Sequence, residues 1–359
     1  MKIIKESFYK TKFWYKTGEG KVICDLCPRG CKLKEGQRGL CFVRARENNE
    51  IVSTTYGRSS GFCVDPIEKK PLYHFYPQTP VFSFGTAGCN LFCKFCQNWD
   101  ISKSTQMDTL GSFAAPEVIA KTAKSLYCKS VAFTYNDPVI FFEYAEDTAR
   151  ECHKRNIKTV AVTAGYINDK PRKEFFSFID AANVDLKGFS EKFYKDLCSA
   201  ALQPVLDTLS YIKKETKVWL EITTLLIPGM NDSEKDINKM TRWIYENLGA
   251  DVPLHFSAFH PDYKMRDFEQ TSVYTLKKSR KIAIENGLRY VYTGNIYDEE
   301  GGSTYCHSCG KKVIGRNWYE MTAYFLDEKG NCIYCSEKIA GIFDKKPGSW
   351  GSKRLPVQI

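Results

Sequence analysis

Three closely spaced cysteines are the residues of this chain best suited to catalysis. Cys89, Cys93 and Cys96 form a C-x3-C-x2-C pattern. Thiolates hold iron–sulfur clusters, and three of them leave one iron of a [4Fe–4S] cubane open. S-adenosylmethionine can chelate that iron, and its reductive cleavage gives a 5′-deoxyadenosyl radical that abstracts hydrogen. The pattern therefore predicts a catalytic cluster that works with S-adenosylmethionine.

A zinc knuckle without its fourth ligand, or a group of buried free thiols, is the alternative for this triad. Zinc knuckles prefer two C-x2-C pairs and tetrahedral closure, so the x3-then-x2 spacing favours the cluster. Gly85 and Gly88 would let the backbone wrap closely around a cluster. Phe95 directly precedes the last cysteine and is a candidate to pack against the adenine of the cofactor.

The triad follows the first of seven short apolar segments that we predict as strands, with amphipathic segments between them predicted as helices. This alternation indicates the α/β class and a parallel sheet with right-handed crossovers. The number of units favours a partial or full (βα) TIM-type barrel, in which the active site lies at the carboxyl ends of the strands. The predicted strands are 81–85, 130–135, 159–163, 183–187, 218–225, 253–259 and 289–292. The predicted helices are 116–129, 139–156, 170–179, 190–198, 233–248 and 275–286.

The use of cysteine divides the 359 residues into three predicted parts. Residues 1–75 form an N-terminal four-cysteine module, residues 76–300 the barrel, and residues 301–359 a C-terminal module similar to a zinc ribbon. No run approaches the roughly 20 apolar residues of a membrane span, and the charged start has no secretory signal. We therefore expect a soluble, cytoplasmic protein. The net charge of +10 suits a polyanionic partner or a lysine-rich solvated surface.

Two further sets of cysteines flank the triad. Tight C-x2-C pairs in a cytosolic chain indicate metal rather than disulfides. The C-terminal set predicts a four-cysteine zinc ribbon, with iron as the alternative, whereas the N-terminal set fits either zinc or an auxiliary [4Fe–4S] cluster. Isolated cysteines at 128, 152 and 198 are predicted to be small buried hydrophobes. The C-terminal set is Cys306, Cys309, Cys332 and Cys335, and the N-terminal set is Cys24, Cys27, Cys31 and Cys41.

An ordered series of motifs resembles the radical S-adenosylmethionine superfamily and, within it, the pyruvate formate-lyase activating enzyme-like group. The likeness covers nearly the whole chain and is strongest to the AmmeMemoRadiSam system radical enzymes. Beside the cysteine sets, the motifs are Asp65-Pro-Ile-Glu-Lys-Lys-Pro-Leu-Tyr-His74-Phe, Thr134-Tyr-Asn-Asp-Pro138, Val184-Asp-Leu-Lys187, Pro253-Leu-His-Phe-Ser257 and Tyr292-Thr-Gly-Asn295.

Four polar residues after predicted strands take cofactor-binding roles from this resemblance. The segment with Asn136 and Asp137 is similar to the one that meets the amino group of S-adenosylmethionine. Lys187 would approach the cofactor carboxylate and Asp185 a ribose hydroxyl. The alternatives from the residues alone are a helix-capping turn at Asp137 and a structural ion pair between Asp185 and Lys187. This chain has Asp137 where the family pattern has Glu, and Ala164 where it commonly has Asn.

Two histidines near the end of the sixth predicted strand are further candidates for cofactor or substrate contact. These are His255 and His260, although a lone histidine at such a place is often only a hydrogen-bonded core residue. Glu221 and Thr223 share one face of the fifth strand by period-two spacing and are weaker candidates for the barrel interior. His74 belongs to a family-like motif, but its chemistry indicates no role.

The function predicted from these residues is reductive cleavage of S-adenosylmethionine followed by hydrogen abstraction from an unidentified substrate. Direct modification of a small molecule or nucleic acid is favoured over an activase that installs a glycyl radical on a partner protein. A zinc-stabilised nucleic-acid-binding or scaffold protein is the competing class, but it leaves the triad unexplained. The reaction needs an electron donor such as flavodoxin or ferredoxin, and the resemblance implies association with Memo-like and AMMECR-like proteins.

Overall fold

A sheet of nine strands organises the protein, whose computed structural model describes residues 8–105 and 110–359. The first seven residues of the predicted N-terminal module lie outside the described residues. The strands are β1 (Tyr9–Lys10), β2 (Trp14–Lys16), β3 (Val22–Cys24), β4 (Lys32–Leu33), β5 (Arg44–Glu47), β6 (Glu50–Ser53), β7 (Arg58–Ser59), β8 (Phe62–Pro66), β9 (Pro80–Phe84), β10 (Ser112–Phe113), β11 (Ser130–Phe133), β12 (Lys158–Thr163), β13 (Ala181–Asp185), β14 (Trp219–Leu226), β15 (Leu254–Ala258), β16 (Val291–Gly294), β17 (Thr304–Tyr305), β18 (Lys312–Asn317), β19 (Glu320–Tyr324) and β20 (Leu355–Val357).

The predicted parallel barrel strands are confirmed as β9 and β11 to β16, which run side by side in chain order. Their residues are mostly buried because helices cover the sheet, which explains their continuous apolar character. Two antiparallel strands, β8 and β20, extend the sheet beyond β9. Within the described residues, the edge strands β16 and β20 do not pair, so the barrel is partial rather than full.

Helices follow the parallel strands as the alternation predicts. Ser233 caps the helix Glu234–Leu248 by accepting a hydrogen bond from the Asp236 N–H, as expected from its position. The predicted helix 190–198 is instead a short α-helix followed by a π-turn from Tyr194 to Cys198. The helices are α1 (Trp99–Ser102), α2 (Pro116–Ser125), α3 (Phe142–His153), α4 (Asp169–Ser177), α5 (Glu191–Phe193), α6 (Gln203–Glu215), α7 (Glu234–Leu248), α8 (Val273–Glu285) and α9 (Glu299–Gly302).

Helix α6 is missing from the sequence-based assignment, although its pattern is regular. Pro204 stands in the first turn, where its missing N–H costs nothing. Val205, Leu209 and Ile212 recur at helical spacing and are fully buried. In the part of the chain that the structure describes, no helix is long and apolar enough to cross a bilayer.

The N-terminal segment docks on α3 through a buried ion pair. The Arg44 Nη2 atom lies 2.6 Å from Glu143 Oε2, and both side chains are almost fully buried. Glu143 also accepts a hydrogen bond from the Lys12 N–H, and Arg44 donates to the Lys12 carbonyl. Strands β1, β6 and β5 form one small sheet in this segment, and β2, β3 and β4 form another.

The C-terminal segment forms the sheet β17–β18–β19 and then returns to the main sheet as β20. The buried Arg316 of β18 donates a hydrogen bond to the Tyr73 carbonyl at 2.7 Å. Strand β8 lies in the predicted N-terminal module and β20 in the predicted C-terminal module. The main sheet therefore crosses both predicted boundaries, and the division into three parts stays a prediction.

Replacing Arg44 with Met is expected to destabilise the protein, because it leaves the Glu143 carboxylate buried without its cation. The expected loss is about 3–5 kcal/mol of unfolding free energy, measured by urea denaturation. Lys121→Ala is the matched control, since Lys121 pairs with Glu117 in an exposed ion pair worth at most about 1 kcal/mol. Equal effects of the two substitutions would contradict a structural role for the buried pair.

Candidate active site

A cavity of about 570 Å³ opens at the carboxyl ends of the parallel strands. The three triad cysteines line it, as the position of the triad after the first barrel strand predicts. Most of the other candidates line the same cavity, because the parallel strands and the loops after them bring these residues to one edge of the sheet. These candidates are Phe95, Asn136, Asp137, Asp185, Lys187, Thr223 and His255.

The loop that carries the triad is held by close backbone packing and by one amide. A Cβ atom on Gly85 would lie 2.3 Å from the Thr134 carbonyl, and one on Gly88 would lie 2.1 Å from the Cys41 carbonyl, so neither position admits a side chain. The Asn136 amide accepts a hydrogen bond from the Thr86 N–H at 3.0 Å and donates to the Gly88 carbonyl at 2.9 Å. Asn136 thus fixes the loop, and its contact with the cofactor stays a prediction.

The surroundings of the triad give Cys89 and Cys93 different pKa values. A hydrogen bond from the buried Cys198 thiol and the nearby Lys187 lower the pKa of Cys93 to about 6, despite its burial. Burial raises the pKa of Cys89 to about 12. Cys198 is fully buried, as the sequence predicts, and its backbone carbonyl accepts a hydrogen bond from the Phe92 N–H of the triad loop. The predicted packing partner of the adenine, Phe95, is buried and lies against Phe193 with ring centroids 5.9 Å apart.

These residues fit an open-sited [4Fe–4S] cluster. Three thiols that bear no disulfide face one cavity, which leaves room for a further ligand at the fourth iron. Cys89, Cys93 and Cys96 would hold the cluster, which with S-adenosylmethionine supplies a radical by one-electron cleavage. The contribution of this chain is to hold the thiols in one loop and to place charged side chains beside them.

Asp137 is a buried carboxylate with three hydrogen bonds from the protein. It accepts from the N–H groups of Val139 and Ala164 and from the Thr163 hydroxyl, each at 3.0 Å. Burial raises its pKa, although these hydrogen bonds oppose the shift. Ala164 therefore takes part through its backbone, so the absence of an Asn amide at this position removes none of these contacts. The capping role predicted from the residues is confirmed.

Asp185 and Lys187 form an ion pair at 3.0 Å, on the wall of the cavity. Burial acts to lower the pKa of Lys187, but the Asp185 carboxylate and the Cys93 thiol outweigh it, so the pKa is raised. Lys187 is therefore a permanent cation beside the triad. This position suits a cofactor carboxylate, although the predicted contacts of both residues with the cofactor stay predictions.

The two histidines have different places. His255 lines the cavity, and its Nε2 atom lies 2.7 Å from a carboxylate oxygen of Glu221. Glu221 also accepts hydrogen bonds from the N–H groups of Tyr73 and His74 and is fully buried, so it organises the barrel interior. His260 is exposed and is not among the residues that line the cavity. The structure does not bring His260 into the site.

A buried group of charges that has no role in the sequence analysis also lines the cavity. Lys70 donates to Asp65 at 2.7 Å, and both side chains are at most 4% exposed. Glu68 is equally buried, and its Oε2 atom has no hydrogen-bond partner among the described residues. Three buried charged residues in the short segment 65–70 indicate a site, since charged side chains are rarely buried without a partner or a ligand.

The C-terminal thiols form a compact group that fits a mononuclear metal. The sulfur atoms of Cys306 and Cys335 are 3.5 Å apart, and those of Cys309 and Cys332 are 3.8 Å apart. All four lie within 4.8 Å of one another. A tetrahedral site with metal–sulfur bonds of about 2.3 Å requires separations of about 3.8 Å, so the predicted four-cysteine metal site is geometrically sound.

Comparisons with known proteins show what this chain is similar to. Residues 84–241 match the family described as the Radical SAM superfamily. The chain is 40% identical over 328 residues to an uncharacterized protein of Methanocaldococcus jannaschii, covering 91% of this chain and 97% of the relative. It is 20% identical to the 4-hydroxyphenylacetate decarboxylase activating enzyme of Clostridioides difficile, over 77% of this chain and 90% of that enzyme. A solved domain of a pyruvate-formate lyase-activating enzyme from Bacteroides vulgatus aligns with a TM-score of 0.41 and 17% identity, covering 46% of this chain and 99% of the domain.

Replacing Asn136 with Ala is expected to loosen the triad loop, because the Thr86 N–H and the Gly88 carbonyl lose their partner. The protein should lose about 1–3 kcal/mol of stability and release reconstituted iron to a chelator faster than wild type. Asn286→Ala is the control, since Asn286 bonds to Asn238 and Thr241 on α7, away from the cavity. If both variants release iron at the wild-type rate, Asn136 does not position the triad.

Proposed function

Because this chain belongs to the radical SAM superfamily, we propose that it abstracts a hydrogen atom from a small polar substrate bound in the cavity beside the triad. The superfamily chemistry makes the chain an enzyme that uses a [4Fe–4S] cluster and S-adenosylmethionine. The identity of the substrate class is the proposal. One observation carries it: the cavity of the triad is also lined by the buried charges of Asp65, Glu68 and Lys70.

Residues from both terminal segments line the cavity, which supports a site for a small substrate. Asp65, Glu68 and Lys70 come from the segment around β8, and Tyr319 and Arg354 reach the same cavity from the C-terminal segment. These positions lie outside the strands that carry the triad and its neighbours. Charges that are buried and partly unpaired favour a ligand with polar groups to satisfy them. A small molecule with hydrogen-bond donors for Glu68 fits this wall.

The neighbours of the triad have roles that follow from their contacts. We assign Lys187, whose raised pKa keeps it a cation, the role of pairing with the cofactor carboxylate. Asp185 would hold the Lys187 side chain in place. Asn136 and Asp137 fix the loop and the turn on which the cofactor would lie. The chain requires an external one-electron donor, for which flavodoxin or ferredoxin has the right chemistry.

A glycyl-radical activase is the second candidate. It is favoured by the names of relatives, which include activating enzymes for 4-hydroxyphenylacetate decarboxylase and benzylsuccinate synthase. An activase must admit a segment of a partner protein, whereas the cavity here is lined by residues of both terminal segments. The two functions differ in which fraction of a cell extract donates the hydrogen atom.

The C-terminal module has a structural role in this proposal. We propose that its four thiols hold zinc, which would stabilise a module with a small core of its own. Memo-like and AMMECR-like proteins are the proposed partners of the whole protein, because its motifs resemble those of the AmmeMemoRadiSam system. Metal-binding thiols must stay reduced, so a cytoplasmic location suits the chain.

Replacing Cys93 with Ala is expected to abolish the formation of 5′-deoxyadenosine, because the triad then offers two thiols to the cluster. The measurement is chromatography of reactions that contain dithionite, S-adenosylmethionine and anaerobically reconstituted enzyme. Cys152→Ala is the control, since Cys152 is buried in α3 away from the triad. Product from the Cys93 variant at the wild-type level would rule out the triad as the catalytic site.

Deuterium from a small-molecule extract of cells grown in heavy water is expected to appear in 5′-deoxyadenosine, whereas the protein fraction should transfer none. Glu68→Gln should lower this transfer about tenfold at limiting extract, the effect of losing a charged hydrogen bond of about 1.5 kcal/mol. Glu117→Gln is the control, because Glu117 is an exposed residue of α2. Label from the protein fraction alone would favour the activase.

A further inference from the structure

The N-terminal four-cysteine set packs against the loop of the catalytic triad. The carbonyl of Cys41 fills the space that a side chain on Gly88 would need, and Gly88 directly precedes Cys89. On the other side of Cys89, the Asn90 carbonyl accepts a hydrogen bond from Arg29 Nε at 2.7 Å. The segments that carry the two thiol sets are therefore in direct contact, although they are far apart in sequence.

The N-terminal thiols are arranged as metal ligands are. A Cβ atom on Gly39 would lie 3.8 Å from the sulfur atoms of both Cys31 and Cys41, so these two sulfurs face one small space. The four cysteines of this set bear no disulfide, so their thiols are available as ligands.

The spacing of the sulfur atoms separates two kinds of site. Across residues 8–105 and 110–359, the C-terminal set is the only group of potential ligands that lies within 4.8 Å. The N-terminal thiols are spread more widely, as are those of the triad. A single tetrahedral ion draws its thiolates to about 3.8 Å from one another, whereas a cubane binds each thiolate at a different iron and needs wider spacing. The N-terminal set thus resembles the triad and not the zinc-like site.

Two arginines of the N-terminal segment each keep one N–H donor that is unpaired within the described residues, beside the bonds that Arg44 makes to Glu143 and Arg29 makes to the Asn90 carbonyl. Arg44 is 1% exposed, and its Nε atom has no hydrogen-bond partner among the described residues. Arg29 likewise has a buried Nη2 atom without a partner there. Charged donors to thiolate or sulfide would satisfy both guanidinium groups.

We propose that the N-terminal module holds a second [4Fe–4S] cluster, with four cysteine ligands and hence no open iron, as an electron-carrying site beside the triad. Its ligands are Cys24, Cys27, Cys31 and Cys41. The inference goes beyond the proposed function, since it does not depend on which substrate the cavity binds. The sequence spacing of the N-terminal set is compatible with either zinc or a cluster. The inference chooses the cluster and so gives this set a different metal from the C-terminal set.

The test compares metal content in the full chain after anaerobic reconstitution with iron, sulfide and zinc. Wild type should hold about eight iron atoms and one zinc ion, and the triad-free variant with Cys89, Cys93 and Cys96 replaced by Ala should keep about four iron atoms. The double variant Cys27→Ala, Cys41→Ala should also keep about four. Cys152→Ala is the matched control and should keep the wild-type content.

Electron paramagnetic resonance supplies a readout that is independent of turnover. After dithionite reduction, the triad-free variant should show a cluster signal that S-adenosylmethionine does not alter, because the remaining cluster has no open iron. The signal of the double variant should change on addition of S-adenosylmethionine. A triad-free variant that binds two zinc ions and no iron, or whose iron gives no signal on reduction, would overturn the inference.

The triad-free variant decides the question even if the double variant fails to fold, because its N-terminal thiols are intact. Its thermal unfolding and its zinc content report whether the rest of the chain is native. A failure of the substrate proposal would leave both metal counts unchanged, so the two outcomes are separable.

Discussion

The close approach of backbone segments around the triad loop is the constraint on which the rest of the structure depends. The loop passes the Thr134 carbonyl at Gly85 and the Cys41 carbonyl at Gly88, where no side chain fits. The buried amide of Asn136 bonds to Thr86 and Gly88, where the loop begins just before Cys89. Three thiols are thereby held in one orientation at the carboxyl edge of the sheet, and the N-terminal segment is fixed against the same loop.

Charge pairing governs the remainder of the cavity. Asp185 and Lys187 face the triad, and Asp65 and Lys70 form a second buried pair from a different part of the chain. Desolvation makes each charge costly alone, so each is placed beside an opposite charge or several hydrogen bonds. Glu68 and Asp65 are exceptions, since each has one carboxylate oxygen without a hydrogen-bond partner among the described residues. Such an exception in a cavity is more informative about a ligand than the paired charges are.

The sequence could predict the barrel and most of the site because both depend on local periodicity. Short apolar segments marked the strands to within two or three residues. Asp185 is the last residue of β13, and Asp137 lies four residues after β11. The prediction missed α6, although its apolar residues recur regularly. It also gave no role to Asp65 and Lys70, because they belong to an antiparallel extension that strand–helix alternation does not describe. His260 lies two residues beyond β15 and is exposed, so nearness to a strand end in sequence did not place it in the cavity.

Cysteine spacing alone did not distinguish single-ion sites from cluster sites, and the reason is geometric. C-x2-C pairs occur in both, since the turn between the cysteines is compatible with one ion or with two irons. What differs is the distance between the pairs, which depends on how distant segments dock. In the C-terminal module, β17–β18–β19 bring two knuckles together. In the N-terminal module, the thiols surround a wider space beside two partly unsatisfied arginines. The spacing of the thiols in each set is therefore a property of tertiary packing, and the N-terminal set packs against the triad loop through the Cys41 carbonyl.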